Sequence, residues 1–335
     1  MRKESAVREF LRRPSVRTTG KALVTVLIFV YLFTRLDVNL IGRLILQSRI
    51  WLLLVTFALF ASRVLLGAYR SKILLAYRSI MFSMTTLTRF YYIGFFFNLF
   101  LPTVVGGDIA RGYYLYRYSG GRKETISSIL VERALGIVAM MLLSLFSVFL
   151  AMLLGLDVLR NDTIKFIVIA FGAGTVLAVL FFYEKTEHVF ERVLPAFIAD
   201  RFTSVVSVIR NVIEYNRAPR VLGYVLLISI VFQLSAILCN YLIALAIGCT
   251  TPFLYFLILL PVVWLISMIP VTINGLGLRE GAFVYFFSTT GMAQEMAMTI
   301  SLLWFAQTLG LSIIGGLVFL AEGSSMASIK DYGSP

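Results

Sequence analysis

The chain has 335 residues, of which 59% are hydrophobic and only 14% are charged, and its formal net charge is +13. Soluble domains average about 25% charged residues, so this composition indicates a polytopic membrane protein, and we expect no folded cytosolic catalytic module. The Lys and Arg residues cluster beside apolar segments, where basic residues orient a membrane protein and contact anionic lipid; we therefore expect no nucleic-acid partner.

The chain begins with a basic segment, 1–21, which carries seven Lys or Arg against two Glu. An apolar run follows at 22–36, so we expect a cytoplasmic N-terminal tail and a first membrane span whose flanking Lys21 and Arg35 reach the interface. The further apolar runs lie at 50–69, 86–101, 126–154, 164–183, 221–247, 253–269 and 295–320.

One pattern, Pro-x4-Gly-x3-Arg, occurs twice inside these apolar runs. Its copies are Pro102, Gly107 and Arg111, and then Pro270, Gly275 and Arg279. Pro removes a backbone donor and Gly loosens a helix, so each copy predicts a broken membrane helix. An arginine just after such a break is costly in lipid, so we expect it to face a protein-lined or wet cavity. Matched breaks in two halves are typical of transporters with internal repeats.

The distribution of positive charge indicates how the eight runs cross the membrane. If all of them crossed, the basic loops 111–123 and 184–220 would lie outside, against the positive-inside tendency. The conflict disappears if 86–118 and 253–286 are re-entrant hairpins that enter from opposite faces. We therefore predict an all-α polytopic membrane protein with about six full transmembrane helices, two oppositely oriented re-entrant hairpins, and both termini in the cytoplasm.

In this topology, residues 22–320 form one transmembrane domain and 321–335 form a cytoplasmic C-terminal tail. Segment 184–220 contains an apolar stripe at helical spacing, so we expect a helix that lies on the cytoplasmic membrane surface. Three arginines would fall in an outer loop and are the one disagreement with the charge tendency: Arg35, Arg43 and Arg49.

The first break and the span after it contain most of the candidate binding residues. Asp108 opens the returning half-helix, where it is an N-cap that satisfies free amides. A compatible functional interpretation is an ion or proton site, or the partner of a buried arginine. Arg111 either reaches the interface or forms an anion site with the amino end of the half-helix. Glu132 and Arg133 are adjacent and do not share a helix face, so each is expected to pair elsewhere. Arg63 is a candidate partner for one of these carboxylates.

The second break contains a more specific cluster, which comprises Asn274, Gly275, Gly277, Arg279 and Glu280. A charge at the bilayer centre costs roughly 2.5–3.5 kcal/mol on insertion scales. Two adjacent charges there therefore indicate mutual pairing around a cavity, and we favour a functional over a purely structural interpretation.

Two other polar positions fit simpler roles. Asn98 precedes the first break, where it caps freed backbone or binds a headgroup, and Tyr91 is interpreted as an anchor in an aromatic belt. The sequence contains no Walker A loop, no H-E-x-x-H and no nucleophile with a histidine base, so we expect no catalytic residue, metal or cofactor.

Three segments together resemble the transmembrane domain of lysylphosphatidylglycerol synthetases, a family also called flippase-like: FFFNLFLPTVVGGDIARGYYLYR, SSILVERALG and IPVTINGLGLREGA. The resemblance covers about Lys21 to Leu320 and implies a stand-alone member without the aminoacyl-transferase domain. In the bifunctional members this domain is similar to a lipid translocase, and stand-alone relatives are thought to move lipid-linked sugars or other polyisoprenoid lipids.

We therefore expect a lipid flippase of the cytoplasmic membrane that binds an anionic or lipid-linked headgroup between its two hairpins. The expected binding residues are Asn98, Gly106, Gly107, Asp108, Arg111, Glu132, Arg133, Asn274, Gly275, Gly277, Arg279 and Glu280, and Pro102 and Pro270 are the helix breaks. The expected partners are a membrane phospholipid or lipid-linked sugar, anionic lipid at the basic loops, a lipid-modifying enzyme and a second copy of the chain.

Two alternatives stay open. One is a membrane-embedded enzyme that acts on a lipid phosphate or glycosyl headgroup, with Asp108, Glu132 and Glu280 as acid and base. The other is a non-transporting scaffold for a lipid-modifying partner.

Overall fold

The computed structural model describes residues 16–101, 103, 105–156, 162–182 and 203–330, and this part of the chain is built from helices. Its twelve α-helices are α1 Val16–Arg35, α2 Val38–Leu46, α3 Ile50–Tyr77, α4 Met84–Phe100, α5 Gly106–Ser119, α6 Arg122–Leu153, α7 Asp162–Phe181, α8 Thr203–Ile213, α9 Pro219–Ala246, α10 Phe253–Ser267, α11 Leu278–Ser288 and α12 Gln294–Lys330.

The described helices confirm the predicted number of membrane spans. Five of them, α3, α6, α7, α9 and α12, are long and apolar enough to cross a bilayer. Helices α1 and α2 meet at an 89° bend and qualify together as a sixth span. Helix α1 begins at Val16, so the last residues of the predicted N-terminal tail belong to the first span. Pro102, one of the two predicted helix breaks, lies outside the described residues.

The two Pro-Gly-Arg regions form helical hairpins whose arms are too short to cross. Helices α4 and α5 contain 17 and 14 residues, and α10 and α11 contain 15 and 11. At 1.5 Å per residue these arms measure about 16–25 Å. The hydrocarbon core of a bilayer is about 30 Å thick, so each hairpin turns back inside it.

Contacts along α12 show that the first hairpin enters from the end of α12 near Glu322. Arg89, close to the start of α4, pairs with Glu322 at 3.6 Å. Further along α4, the carbonyl oxygen of Phe95 accepts a hydrogen bond of 3.0 Å from the Ser312 hydroxyl. Helix α4 therefore runs antiparallel to α12, and its tip points to the middle of that span.

The second hairpin enters from the opposite end of α12. Helix α11 ends at Ser288, six residues before α12 begins at Gln294, whereas Glu280 at the start of α11 contacts Ser301. The two tips meet, since the Asn274 side chain donates a 2.8 Å hydrogen bond to the carbonyl oxygen of Asn98. The predicted opposite orientation of the hairpins is confirmed.

Small residues allow the first hairpin to pack closely on itself and on α12. A methyl group at Gly107 would lie 2.4 Å from the carbonyl oxygen of Gly94, and one at Gly315 would lie 2.0 Å from that of Tyr92. Such distances leave no room for a side chain, so backbone packs against backbone, as is common between membrane helices.

The second hairpin lies in the largest apolar cluster of the described residues. In α10, Phe256 and Leu259 are fully buried, and in α11, Phe283 and Phe287 are 2% and 0% exposed. A helix that is apolar all round, as α10 is, stays buried among other helices rather than at a water-facing surface. The second hairpin is therefore an internal element of the bundle.

Helix α8 forms part of the segment predicted as an amphipathic surface helix. Val212 belongs to a buried cluster that includes Leu74 and Val131, and Ile213 is buried as well, so this end of the apolar stripe faces the protein. Residues 184–202 of the predicted segment lie outside the described residues. Helix α12 continues to Lys330, through most of the predicted C-terminal tail.

The opposite entry of the hairpins can be tested by single-cysteine labelling of intact membranes with an impermeant maleimide. We expect Arg117→Cys at the base of the first hairpin and Thr289→Cys at the base of the second to label from opposite faces. Thr289 directly follows α11 and is exposed. The native Cys239 and Cys249 are buried and give the background signal. Labelling of both sites from one face would contradict the arrangement.

The close packing at Gly315 gives a prediction about stability. Gly315→Ala should lower the free energy of unfolding by about 1–3 kcal/mol, because overpacking outweighs the gain in helix propensity. Gly223→Ala in α9 is the matched control, since no atom lies within 4 Å of the added methyl group. Thermal unfolding in detergent, followed by circular dichroism, would show a lower Tm for Gly315→Ala only; equal Tm values for the two variants would refute the close packing.

Candidate functional site

The tip of the first hairpin is capped across the break rather than by its own helix. The N-cap of α5 is Val105, which offers no polar side chain. The Asn98 carboxamide at the end of α4 instead accepts a 2.6 Å hydrogen bond from the amide of Gly107. Asp108 occupies the third helical position and makes no capping bond. The interpretation of Asp108 as an N-cap is wrong, and its carboxylate is available to arginines.

Five charged residues from three helices form a continuous network beside this tip. Glu132 of α6 pairs with Arg70 of α3 at 3.0 Å and with Arg111 of α5 at 3.2 Å. Arg111 also pairs with Asp108 at 3.2 Å, and the second carboxylate oxygen of Asp108 accepts from Nε of Arg133. Glu132 and Arg133 thus pair with different partners, as their helical positions predicted.

Aromatic rings and hydroxyl groups complete the network. The Tyr91 hydroxyl donates to Glu132, and the guanidinium carbon of Arg111 lies 4.2 Å from the centre of the Tyr91 ring. Tyr91 was predicted to be a belt anchor; that interpretation is wrong. Arg70 donates to the Ser229 hydroxyl at 3.0 Å and lies 4.3 Å from the centre of the Phe232 ring.

Arg63 adds a further buried cation, midway along α3. It is 6% exposed, and none of the ion pairs among the described residues includes it, so the proposed pairing with a carboxylate is wrong. Its Nε donates to the Ser235 hydroxyl at 3.0 Å, and its guanidinium carbon lies 4.3 Å from the centre of the Phe232 ring. Cation–π contacts of this kind stabilise a desolvated cation by about 2 kcal/mol.

The charges of this region do not balance. Among the described residues of this region there are four guanidinium groups, those of Arg63, Arg70, Arg111 and Arg133, and two carboxylates, those of Asp108 and Glu132. These described groups carry an excess of two positive charges. Arg70, Arg111 and Glu132 are each 3–5% exposed. A buried positive excess inside a membrane favours an anion, because each uncompensated charge is expensive in a low-dielectric surrounding.

The second hairpin holds a different, balanced arrangement. Nε of Arg279 donates to Glu280 at 2.9 Å, and the other oxygen of Glu280 accepts a 2.6 Å bond from the amide of Gly277. Glu280 is fully buried and also accepts from Ser301. The expected mutual pairing is confirmed, and Glu280 acts as a cap that holds the start of α11.

Backbone conformation explains the glycines of the second break. Gly275 and Gly277 have φ values of +72° and +81°, and Asn274 has a φ of +51°. These left-handed conformations suit Gly and Asn, and they place the Asn274 side chain against the first hairpin. The amide of Ile273 donates to Thr25 Oγ1 at 3.1 Å, midway along α1.

Two cavities border Asp108. The smaller, of about 110 Å³, lies inside the first hairpin and is lined by Tyr91, Asn98, Gly107, Asp108 and Arg111, among others. The larger, of about 580 Å³, lies between α5 and α6, and Asp108 and Arg133 are its charged lining residues. Neither of these two cavities is lined by a residue of the second hairpin.

The structure therefore brings together Asn98, Gly107, Asp108, Arg111, Glu132 and Arg133, and joins Asn274 to them through Asn98. None of the ion pairs among the described residues links Arg279 or Glu280 to this group. Sequence reasoning missed Arg70, which lies seven residues after Arg63 and so on the same face of α3. That spacing was the available signal, but Arg70 falls just beyond the apolar run that defined the span.

Comparison with known proteins gives one match. A family model described as the lysylphosphatidylglycerol synthase TM region covers residues 19–316, which include both hairpins and every residue of the network. No curated protein and no solved structure matches the chain.

The network predicts that Glu132 is required for stability. Glu132→Gln removes the charge that Arg70 and Arg111 share, so the free energy of unfolding should fall by about 3–5 kcal/mol, as for other broken buried ion pairs. Asp162→Asn is the control, because its pair with Lys165 is exposed and should contribute nothing measurable. Chemical or thermal unfolding of both variants in detergent gives the comparison; similar losses in the two would contradict the role of the network.

Proposed function

Because this chain belongs to the lysylphosphatidylglycerol synthase transmembrane family, we propose that it is a lipid translocase that moves an anionic or lipid-linked headgroup between leaflets. Its apolar spans make it a multi-pass integral membrane protein. The proposed cargo keeps its chains in the bilayer while its headgroup passes the hairpin tips.

The single observation that carries this proposal is the positive excess beside the first hairpin tip. The four arginines outnumber the two carboxylates at a depth where an unpaired charge is costly. An anionic headgroup would supply the missing negative charge as it passes. A charged headgroup is least stable in the middle of the bilayer. A site with excess positive charge at that level would stabilise the headgroup as it passes.

The meeting of two hairpin tips supports the same proposal. Broken helices that meet near the midplane are the usual binding elements of transporters with inverted repeats. Asn98 and Asn274 form a polar contact between the tips. Each hairpin can shift as a rigid unit without breaking a transmembrane helix. Movement of one tip relative to the other would open the region to one face at a time.

The roles of individual arginines differ from those first expected. Arg111 is 3% exposed and bridges Asp108 and Glu132, so it organises the site more than it contacts a headgroup. Arg279 is neutralised by Glu280. Arg133, whose side chain is 29% exposed, and Asp108, at 23%, border open space and are the better candidates for direct contact.

The enzyme alternative receives less support from the same geometry. An acid and a base must reach the same substrate. Asp108, Glu132 and Glu280 each pair with at least one arginine, and none of the ion pairs among the described residues links Glu280 to the other two. The three carboxylates therefore do not form one acid–base site.

We also propose that the face of the bundle at Glu322 is cytoplasmic. The basic residues at the helix ends of this face include Arg78, Arg89, Arg117, Lys123, Arg210, Arg217 and Arg220. Among the described residues, the other face has fewer basic residues at its helix ends, and Arg43 lies on α2, which is bent by 89° from α1. This assignment agrees with the positive-inside tendency.

Translocation can be measured with fluorescent phosphatidylglycerol in proteoliposomes, with dithionite as an impermeant quencher. The wild type should make inner-leaflet lipid accessible faster than protein-free vesicles do. Arg63→Gln should reduce this rate about tenfold, because it removes one cation of the excess and leaves no carboxylate unpaired. Lys165→Gln, on the exposed surface of α7, is the charge-matched control.

A wild-type rate equal to that of protein-free vesicles would refute the proposal, as would equal rates for Arg63→Gln and Lys165→Gln. Analysis of the recovered lipid separates the alternative function. A chemically altered headgroup would indicate an enzyme, whereas unchanged lipid in the opposite leaflet supports a translocase.

A further inference from the structure

The 580 Å³ cavity between α5 and α6 is a groove along one side of the first hairpin. Its walls come from one face of each helix, at spacings of three and four residues. The lining residues of α5 and its N-cap are Val105, Asp108, Ile109, Gly112, Tyr113 and Tyr116, and those of α6 are Ile126, Ile129, Leu130 and Arg133. Ile109 is 59% exposed and Tyr113 is 56% exposed, so the groove lies open at the surface of the bundle.

The dimensions of the groove match one leaflet of a bilayer. From Val105 to Tyr116 the helix rises about 16 Å, at 1.5 Å per residue. Half of a hydrocarbon core of about 30 Å is about 15 Å. Val105 lies at the tip of the hairpin and Tyr116 near its base, so the groove extends from the middle of the membrane towards one face. Its open side then faces lipid chains rather than water.

The inner end of the groove is charged, whereas the remainder is largely apolar. Arg133 and Asp108 lie there together, and Nε of Arg133 donates to one oxygen of Asp108. The other oxygen of Asp108 is held by Arg111 at 3.2 Å. Asp108 would therefore stay paired if Arg133 turned to a different anion. Arg133 can therefore exchange Asp108 for another anion, and Asp108 then still has Arg111 as its partner.

We propose that this groove is a lateral binding site for an anionic phospholipid, an inference that rests on the proposed function and deepens it. One acyl chain lies along Ile109, Tyr113 and Leu130. The phosphodiester takes the place of Asp108 as the partner of Arg133. The site holds a lipid whose headgroup has reached the level of the hairpin tip, midway in its passage.

Charge matching favours a phosphodiester over a phosphate monoester or pyrophosphate. Arg133 is the only cationic side chain among the described residues that line the groove, and a phosphodiester carries a single negative charge. A monoester or pyrophosphate would bring further charge beside the carboxylate of Asp108, which repels it. The apolar walls and a volume of about 580 Å³ fit a chain rather than a free anion, since ligand pockets typically measure about 300–1,000 Å³.

The test is photocrosslinking in proteoliposomes of digalactosyl diacylglycerol, a bilayer lipid without phosphate, that contain a small fraction of phosphatidylglycerol with a diazirine in one acyl chain. Peptide mapping by mass spectrometry should find adducts on the α5 and α6 faces of the groove. Arg133→Gln should reduce these adducts about tenfold, the value of one charge-assisted hydrogen bond. Asp108→Asn should increase them, because Arg133 loses its competing carboxylate.

Opposite effects of the two variants separate a binding role from a structural one, since damage to the hairpin would lower the yield in both. Adducts on the exposed face of α7, at Val176, Leu177 and Leu180, report ordinary surrounding lipid and should not change. Unlabelled phosphatidylglycerol should compete with the probe at the groove. Stronger competition by a polyisoprenyl monophosphate would overturn the assignment to a phosphodiester.

Equal groove yields in the wild type and both variants would overturn the inference. The translocation assay distinguishes this failure from failure of the proposed function. If lipid is translocated but the crosslinking yield does not depend on Arg133 and Asp108, only the inference about the groove is refuted. Charge-dependent crosslinking without translocation would establish a lipid site in a protein that is not a translocase.

Discussion

The arrangement of this protein depends on one constraint, that charged groups inside the membrane region must find partners within the protein. Glu132 is the centre of the solution, because it binds Arg70 of α3, Arg111 of α5 and the Tyr91 hydroxyl of α4. One carboxylate on α6 thereby connects both arms of the first hairpin, α4 and α5, with two full spans, α3 and α6. The hairpin cannot leave the bundle without uncovering several charges at once, which would cost several kcal/mol for each.

The two hairpins share a geometry but differ in chemistry. In the second, Arg279 and Glu280 neutralise each other, Glu280 caps the start of α11, and the surrounding core is apolar. In the first, a positive excess lies beside two cavities, and Asp108 and Arg133 reach open space. The second hairpin therefore supplies a rigid support, while the first presents the polar groups. The two copies of the sequence pattern therefore differ: one forms a structural support, and the other is the one at which we propose that a headgroup binds.

Close packing explains how a broken helix remains well positioned. The backbones of α4 and α5 meet at Gly94 and Gly107, and α12 meets α4 at Gly315. The first hairpin is thus fixed by backbone contacts on one side, while the side lined by Ile109 and Tyr113 stays uncovered. The first hairpin is therefore rigid and has one open apolar face, which is the face at which we propose that a lipid binds.

The sequence by itself determined the membrane class, the six spans, the two breaks and their opposite entry, since hydropathy and charge placement depend on local composition. It also identified Asp108, Arg111, Glu132 and Arg133 as candidate functional residues, because charged side chains are costly inside a membrane segment. Only the tertiary structure decided which side chains pair. Arg70, and not Arg63, pairs with Glu132. Asn98, and not Asp108, caps the half-helix, and the Tyr91 hydroxyl belongs to the network. Pairing depends on the distance between side chains of different helices, and no pattern along a single segment contains that distance.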